Sequence, residues 1–274
     1  MMISFVQAPG RGRSYAAVVL RGLFVYPVKS LRGIALDSAR ATAMGLELDR
    51  QWMLVGASGR CVTQIEQPRM SRVDVAIEHD SLRVEAPGMP PLRIPLRHQN
   101  TRERDVKLFR RPRRALPVSL DADQWFTTFL DTPCTFVQTL HDETVSFANQ
   151  RPFHVVTEAS WRDLNGRLPS AIPIGRFRPN FIIDGAAAYE EDRWTTLRIG
   201  NVPFRALELT ERCAVTTVDS ARGIRDGIEP LRALSEYRAA MTITGRRVRF
   251  GRYLALADGN TRDIRIGDDV IVTG

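Results

Sequence analysis

The chain has 274 residues, of which 43% are hydrophobic and 26% charged, and its formal net charge is +8 with an isoelectric point near 10.1. This length suffices for one large or two small domains, and the composition is that of a soluble globular protein. No apolar run reaches the roughly 18 residues that a membrane helix needs, so we expect no membrane association.

The cysteines and the first residues bear on cellular location. Cys61, Cys134 and Cys213 are odd in number and far apart, which excludes a disulfide framework and a CxxC metal site. The first residues lack a long apolar region followed by a cleavage site, so we expect no secretory signal. Both observations favour a reducing, cytoplasmic location.

The four histidines, among them His154, are isolated, and we expect each to be structural.

The first half of the sequence is predicted to form short strands. The apolar stretch AVVLRGLFVYPV predicts a strand that Pro27 ends, and we place a loose N-terminal segment at residues 1–22. Strands follow on both sides of a turn at Gly45, and the sequence GASG predicts a hairpin turn. Helical spacing of the aromatic residues in SLDADQWFTTFLDTP predicts a helix that closes a first domain over residues 23–145.

The second half, residues 146–274, is predicted to be another strand-rich domain. FHVVTEASWRDLNGRL reads as a strand and then a helix, with Thr157 as its N-cap residue and Ser160 as an alternative. EPLRALSEYRAA predicts a further helix among several strands. Because strands do not alternate regularly with long helices, a Rossmann sheet is excluded. We therefore predict a strand-dominated α+β protein with β-barrel-like sheet in both halves.

Cys213 is the candidate for thiol chemistry. A lone cysteine is most often a small buried hydrophobic residue, but the neighbouring Arg212 would favour a thiolate if its side chain faced the thiol. Adjacent residues of a strand point to opposite faces, so a supporting role is equally compatible with the sequence. A thiolate suits a soft redox metal or nucleophilic attack.

Several basic segments are candidates for anion binding. Lys29 and Ser30 follow a strand that Pro27 ends, and a lysine beside a hydroxyl can hold a phosphate or a carboxylate. In RFRPN, Arg176 and Arg178 are two apart and would share a face on an extended chain. The clusters RRPRR (110–114) and GRRVRFGR (245–252) fit nucleic acid, a phosphate-bearing cofactor, an acidic redox partner or a solvated surface.

The order of these segments resembles a known family. YPVKS, GLELDRQWMLV, CVTQ, TEAS, RFRPN, YEEDRW, RCAVTTVD and EPLRALSEYR succeed one another as they do in the MOSC family with its MOSC N-terminal β-barrel domain. Within that family the chain is similar to the amidoxime-reducing group and its bacterial relatives. The resemblance runs from about Leu23 to the C-terminus.

The resemblance implies a molybdenum cofactor, in which a molybdopterin dithiolene binds the metal. It assigns Cys213 as the molybdenum ligand and catalytic residue. The cofactor contacts that it implies come from both halves of the chain: Lys29, Ser30, Arg50, Thr157, Arg178, Asn180, Arg212 and Tyr253.

The activity implied by the resemblance is the reduction of N-hydroxylated small molecules by oxygen-atom transfer. The chain lacks the CxxxxCxxC run of the ferredoxin-like domain found in some relatives, so we expect electrons from a separate ferredoxin- or cytochrome-like protein, with residues 110–114 as its docking site. We expect a monomer that does not bind nucleic acid. The alternatives are a sulfur carrier or transferase with a Cys213 persulfide, and a non-catalytic cofactor-binding protein.

Three positions depart from the family pattern. Thr210 stands where relatives often have a second cysteine, which we expect to be harmless. Ile65 stands where relatives commonly have an arginine, and we expect the change to remove a basic contact or a salt bridge and to reshape the pocket. Asn149 stands where relatives often have an aspartate, so the polar contact with the pterin that the resemblance implies is not expected to be conserved unchanged.

Overall fold

The computed structural model describes residues 17–98, 100–140, 146–148, 150–242 and 245–273. The strands within these ranges are β1 (Val19–Val25), β2 (Ile34–Ala35), β3 (Ser38–Thr42), β4 (Gly45–Leu46), β5 (Trp52–Gly56), β6 (Asp74–Ile77), β7 (Ser81–Glu85), β8 (Leu92–Pro95), β9 (Arg104–Leu108), β10 (Arg111–Pro117), β11 (Cys134–Gln138), β12 (Phe153–Thr157), β13 (Phe181–Asp184), β14 (Thr196–Ile199), β15 (Val202–Arg212), β16 (Val218–Asp219), β17 (Ile224–Arg225), β18 (Ala239–Thr242), β19 (Gly245–Leu256), β20 (Arg262–Arg265) and β21 (Val270–Thr273).

The helices of the same residues are few. They are α1 (Leu120–Leu130), α2 (Glu158–Gly166) and α3 (Leu231–Tyr237), together with 3-10 helices at Pro68–Arg72, Ile174–Phe177, Glu190–Asp192 and Ala214–Thr217. The predicted strand-dominated α+β class is therefore confirmed. Over the described ranges, no helix is both long and apolar enough to cross a membrane.

The largest sheet joins strands from both ends of the chain. Its order is β2-β1-β13-β12-β19-β15-β14-β21, and β18 also pairs with β19. β1 runs antiparallel to β13, with Leu20 opposite Ile183 and Leu23 opposite Phe181. These side chains belong to one buried core that also contains Phe153. The beginning of the chain is thus packed into the same core as its second half.

The start of β1 corrects the predicted loose segment at residues 1–22. The strand begins at Val19, and Leu20 is fully buried, with its amide donating to the carbonyl of Asp268 at 2.9 Å. The amide of Val270 likewise donates to the carbonyl of Val18 at 2.7 Å. The prediction is wrong for residues 19–22 because partners from the far end of the chain hold them. Residues 1–16 lie outside the described ranges.

The first half of the chain has a second core around α1. Helix α1 begins after Ser119, whose hydroxyl accepts a hydrogen bond from the amide of Ala122 at 3.3 Å. The aromatic residues of α1 that the sequence placed at helical spacing are buried in this core, and Phe126 stacks on Phe136 of β11 with ring centroids 5.3 Å apart. The predicted helix is confirmed. Strands β5, β11, β10 and β9 form an adjoining four-stranded sheet.

The two halves exchange strands rather than standing apart. β20, near the C-terminus, pairs antiparallel with β3, so that Ile264 lies opposite Ala39. β16 also contacts the 3-10 helix Pro68–Arg72, and Arg32 donates to the carbonyl of Ser220 at 2.9 Å. The division into two domains, residues 23–145 and 146–274, stays a prediction. The contacts just described connect these two predicted domains.

Candidate functional site

A cavity of about 330 Å³ lies where the two halves meet. Loops of the first half form one side of it. The other side is formed by the loop before β13, by the end of β15 with the 3-10 helix that follows it, and by parts of β12 and β19. All but one of the predicted site residues line this cavity: Lys29, Ser30, Arg50, Arg178, Asn180, Arg212, Cys213 and Tyr253. The structure therefore brings together residues that lie up to about 220 positions apart in the sequence. Their cofactor-binding roles stay predictions.

Thr157 is the exception and requires a correction. It is fully buried at the start of α2, where its hydroxyl accepts from the amide of Ser160 at 3.3 Å and donates to a carboxylate oxygen of Glu191 at 2.9 Å. The N-cap role predicted for it is confirmed. Its hydroxyl is engaged there, and Thr157 does not line the cavity, so the cofactor contact assigned to it is not supported.

Arg50 and Arg178 are held against the ring of Tyr26. The guanidinium carbons of Arg50 and Arg178 lie 4.3 and 4.2 Å from the ring centroid. Arg50 forms an ion pair with buried Asp49, and Arg178 donates to the carbonyl of Leu31 at 2.6 Å. Both arginines have left-handed backbone conformations, with φ of 51° and 53°. Fixed stacking and backbone contacts therefore aim two like charges at one cavity.

Burial and mutual repulsion alter the electrostatics of this group. Burial, followed by the charge of Arg50, lowers the pKa of Arg178 to about 10. Burial likewise raises the pKa of Tyr26 to about 12, which leaves a neutral ring between the cations and the core. Among the described residues, Arg50 is paired with Asp49. Two cations this close to each other in a cavity, with the pKa of Arg178 lowered, mark a candidate anion-binding site.

Lys29 reaches the cavity from the loop after β1. Its side chain is buried, and the ammonium donates to the carbonyl of Phe147 at 3.1 Å and lies 5.2 Å from the centroid of the Phe109 ring. Burial lowers the pKa of Lys29 to about 7. The next residue, Ser30, has a φ of 68°, and its carbonyl accepts a hydrogen bond from the side-chain Nε2 of Gln64 at 2.7 Å.

Asn180 ties the cavity wall to two strands. Its side-chain oxygen accepts from the amide of His154 at 3.1 Å, and its side-chain nitrogen donates to the carbonyl of Phe24 at 3.1 Å. The side-chain amide of Asn180 is therefore engaged at both ends, by β12 and by the end of β1. Asn180 lines the cavity and fixes the loop that carries Arg178.

Cys213 and Arg212 lie at the point where β15 ends. Cys213 is exposed and precedes the 3-10 helix Ala214–Thr217, and its carbonyl accepts from the hydroxyl of Thr216 at 3.0 Å. Arg212 donates to the carbonyl of Phe177 at 2.7 Å. β15 ends at Arg212, so Cys213 is no longer part of the strand. The side chains of Arg212 and Cys213 therefore do not point to opposite faces of a sheet, and both line the cavity.

The predicted pairing of Arg176 and Arg178 on one face is wrong. Residues Ile174–Phe177 form a 3-10 helix instead of an extended chain, and Arg178 closes it in the left-handed conformation. Arg176 consequently points away toward Asp219, with a nitrogen–oxygen distance of 3.9 Å, while Arg178 lines the cavity.

Some cavity residues were not singled out from the sequence. His154, which we expected to be merely structural, is buried, and its Nε2 lies 3.5 Å from a guanidinium nitrogen of Arg212. Burial and the charge of Arg212 lower the pKa of His154, which keeps the ring neutral. Phe109, Thr63 and Arg151 also line the cavity. Each is a single residue in an unremarkable segment, so no local pattern identifies it.

Charge and unpaired donors indicate which chemical groups would fit this cavity. Its lining contains one acidic residue, Glu211, and the basic residues Lys29, Arg50, Arg151, Arg178 and Arg212. Nη2 of Arg178, Nε of Arg212 and the hydroxyl of Thr210 are buried and have no hydrogen-bond partner among the described residues. Guanidinium donors favour phosphate and carboxylate, and an exposed thiol favours a soft metal. The donor set thus fits a phosphate-bearing group that carries a soft metal.

Two of the three positions that depart from the family pattern, Ile65 and Thr210, line the cavity. Ile65 lines the cavity, so the replacement adds an apolar wall at a site surrounded by cations. Thr210 also lines it and is buried. Asn149 lies outside the described residues. Across the described ranges, no group of three or more histidine, cysteine, aspartate or glutamate side chains is arranged to hold a metal ion.

Comparisons with known proteins identify two family domains in this chain. The MOSC N-terminal beta barrel domain matches residues 17–133, and the MOSC domain matches residues 142–271. Mitochondrial amidoxime reducing component 2 of Bos taurus is 33% identical over 253 residues, which cover 84% of this chain and 75% of that protein. Mitochondrial amidoxime-reducing component 1 of Homo sapiens is 30% identical, over 92% of this chain and 82% of that protein.

A third relative has a different name. Molybdenum cofactor sulfurase of Solanum lycopersicum is 28% identical over 98% of this chain but only 38% of that longer protein. Both family domains match in order and together cover most of the sequence. The chain therefore belongs to the MOSC family and contains its N-terminal β-barrel domain and its MOSC domain.

Proposed function

We propose that this protein is a molybdenum-cofactor-dependent oxidoreductase that reduces N-hydroxylated small molecules with electrons from a separate donor protein. The observation that carries the proposal is the meeting of an exposed thiol, Cys213, with buried and incompletely paired guanidinium groups in one cavity. The names of the amidoxime-reducing relatives support the substrate class, and that of the sulfurase supports the cofactor.

The basic residues would hold the phosphate of the cofactor. Nη2 of Arg178 lacks a partner within the described residues, and a phosphate oxygen would supply one. Arg50 is already fixed by Asp49 and by the Tyr26 ring, so little side-chain entropy is lost when it binds an anion. An anion would also favour the charged form of Lys29, whose protonation burial now opposes.

Cys213 would be the protein's ligand to the metal. Its thiol is exposed at the end of β15, and a thiolate suits a soft metal. When bound, the cofactor would supply the two-electron redox chemistry, while the chain supplies the ligand, the orientation and the surrounding charge. Arg212 would remain in place beside Cys213 through its bond to the carbonyl of Phe177.

The overall reaction has a defined balance. The N–O bond of the substrate breaks, two electrons and two protons are taken up, and the products are the reduced nitrogen compound and water. The apolar residues of the cavity lining, among them Ile65, Phe109 and Val215, would face the organic part of the substrate. We also propose that the protein acts in the cytoplasm as a monomer.

The experiment that tests the proposal measures molybdenum by elemental mass spectrometry and N-reductase activity with reduced methyl viologen. The protein is purified from a host that makes molybdopterin, alongside Cys213→Ser and the control Cys134→Ala, which alters a buried thiol in the other core. We expect near-stoichiometric metal in the wild type and the control, and loss of activity in Cys213→Ser. Full activity of metal-loaded Cys213→Ser would overturn the proposal.

A second candidate function is sulfur transfer through a persulfide on Cys213. The observation that favours it is the match of the tomato molybdenum cofactor sulfurase to 98% of this chain, together with the exposure of the thiol. Protein purified with sulfane sulfur on Cys213 and without molybdenum would support this function over the first.

A further inference from the structure

We propose that the hairpin formed by β9 and β10 is the docking surface for an acidic electron-carrier protein that reduces the site at Cys213. The inference rests on the proposed function and names the partner's chemistry and its place on the surface.

The hairpin concentrates positive charge on a rigid element. Residues 104–114 include six basic side chains and one acidic side chain, Asp105. Five consecutive residue pairs join the strands, from Arg111 opposite Leu108 to Ala115 opposite Arg104. Val106, Leu108 and Ala115 anchor its inner side in a buried cluster. Its charges are therefore presented by a fixed surface and not by a loose loop.

Part of this charge is unpaired. Arg114 forms an ion pair with Glu103, and Arg104 donates to the hydroxyl of Thr135 at 2.9 Å. By contrast, Lys107 and Arg110 are exposed and have no ion pair or side-chain hydrogen bond with the described residues. An uncompensated cationic surface attracts anionic partners and accelerates their association.

The turn of the hairpin reaches the cavity. Phe109, between the two strands, has a φ of 58°, is 47% exposed and lines the cavity. Its ring centroid lies 5.2 Å from the ammonium of Lys29. The left-handed turn thus directs the aromatic ring inward while Arg110 stays outside. A partner bound on Lys107 and Arg110 would be seated at the rim of the cavity that contains Cys213.

The other arginine-rich segment does not offer the same surface. In residues 245–252, Arg247 pairs with Glu211 at 3.6 Å and Arg246 donates to the carbonyl of Ser235. A nucleic acid is also a poorer fit to the hairpin, because single strands are bound by aromatic platforms among basic residues. The one aromatic residue of 104–114 is Phe109, and its ring is turned toward the cavity.

The partner's task is defined by the electron balance of the proposed reaction. Each turnover needs two electrons, so two molecules of a one-electron carrier are oxidised for every N–O bond that is broken, and the two protons come from solvent. The docking surface need only hold the carrier briefly, which suits an electrostatic contact of modest area.

The test uses the full-length, metal-loaded protein and a plant-type [2Fe–2S] ferredoxin as the acidic probe. The variant is Lys107→Glu with Arg110→Glu. Its matched control is Arg21→Glu with Arg205→Glu, which reverses two exposed arginines of the large sheet that do not line the cavity. Ferredoxin affinity is measured by calorimetry, and turnover is measured with reduced ferredoxin and with reduced methyl viologen, at 20 and 200 mM salt.

We expect the Lys107/Arg110 variant to bind ferredoxin at least about tenfold more weakly at low salt, with a flatter salt dependence, and to keep its viologen-driven turnover. Equal ferredoxin affinity for the variant and the wild type, or no ferredoxin binding at 20 mM salt, would overturn the docking surface. The proposal would also be overturned if the wild type bound a single-stranded RNA tightly and in a salt-sensitive way, and the Lys107/Arg110 variant lost this binding while its ferredoxin-driven turnover stayed unchanged. Absence of viologen-driven turnover in every protein would instead contradict the proposed function.

Discussion

Replacing Lys29 with methionine tests whether burial in the cavity opposes the protonation of this lysine. The ordinary pKa of a lysine is 10.5, and burial lowers that of Lys29 to about 7. A difference of about 3.5 pKa units, at about 1.4 kcal/mol per unit, corresponds to about 5 kcal/mol that opposes folding with the lysine charged.

The sign of the pH dependence follows from this difference. Below pH 7 Lys29 is protonated in both the folded and the unfolded chain, and the full penalty is present. Between pH 7 and 10.5 the folded protein holds it neutral while the unfolded chain binds a proton, so the free energy of unfolding rises with pH. From pH 7 to pH 9, wild type should gain about 2 to 3 kcal/mol relative to Lys29→Met.

The assay combines urea unfolding with direct titration by NMR. The chain has two lysines, Lys29 and exposed Lys107, so selectively labelled protein gives two side-chain signals. One should titrate near pH 7 and disappear in Lys29→Met, and Lys107→Met should leave it unchanged. Inorganic phosphate should move this titration upward, because an anion in the cavity favours the ammonium. The absence of a wild-type signal that titrates near pH 7 would refute the reasoning.

Two further predictions concern stability. Thr157→Val should lower the free energy of unfolding by about 1 to 3 kcal/mol in urea titrations, because it removes the N-cap of α2 and a hydrogen bond to buried Glu191. Thr157→Ser should keep most of the wild-type stability, because serine retains the hydroxyl. A loss near zero for Thr157→Val would contradict the capping role. Gly251→Ala should cost about 1 to 3 kcal/mol more than Gly267→Ala in thermal and urea unfolding. Both glycines have positive φ, but a Cβ at position 251 would lie 2.6 Å from Nε2 of His154, whereas a Cβ at position 267 would meet nothing within 4 Å. Equal losses of unfolding free energy in the two variants would therefore exclude the steric effect.

Local pattern determined the elements of this protein. The aromatic spacing of α1 and its serine cap are properties of a short stretch, and the structure has that helix with those side chains buried. The N-cap function of Thr157 is equally local, since it depends on the amides one turn away. The order of short motifs likewise sufficed to indicate the family, because each motif keeps its place along the chain.

Only the tertiary structure decided which side chains meet. Arg178 and Arg50 converge on the Tyr26 ring because the strands of the two halves pair with each other, and no local period encodes an approach over 128 residues. Arg212 and Cys213 share a cavity because β15 ends at Arg212. His154 lies beside Arg212 because of the way β12 packs against the neighbouring strands. Sequence periodicity reports the face of an element, whereas a site depends on how faces from distant elements are packed together.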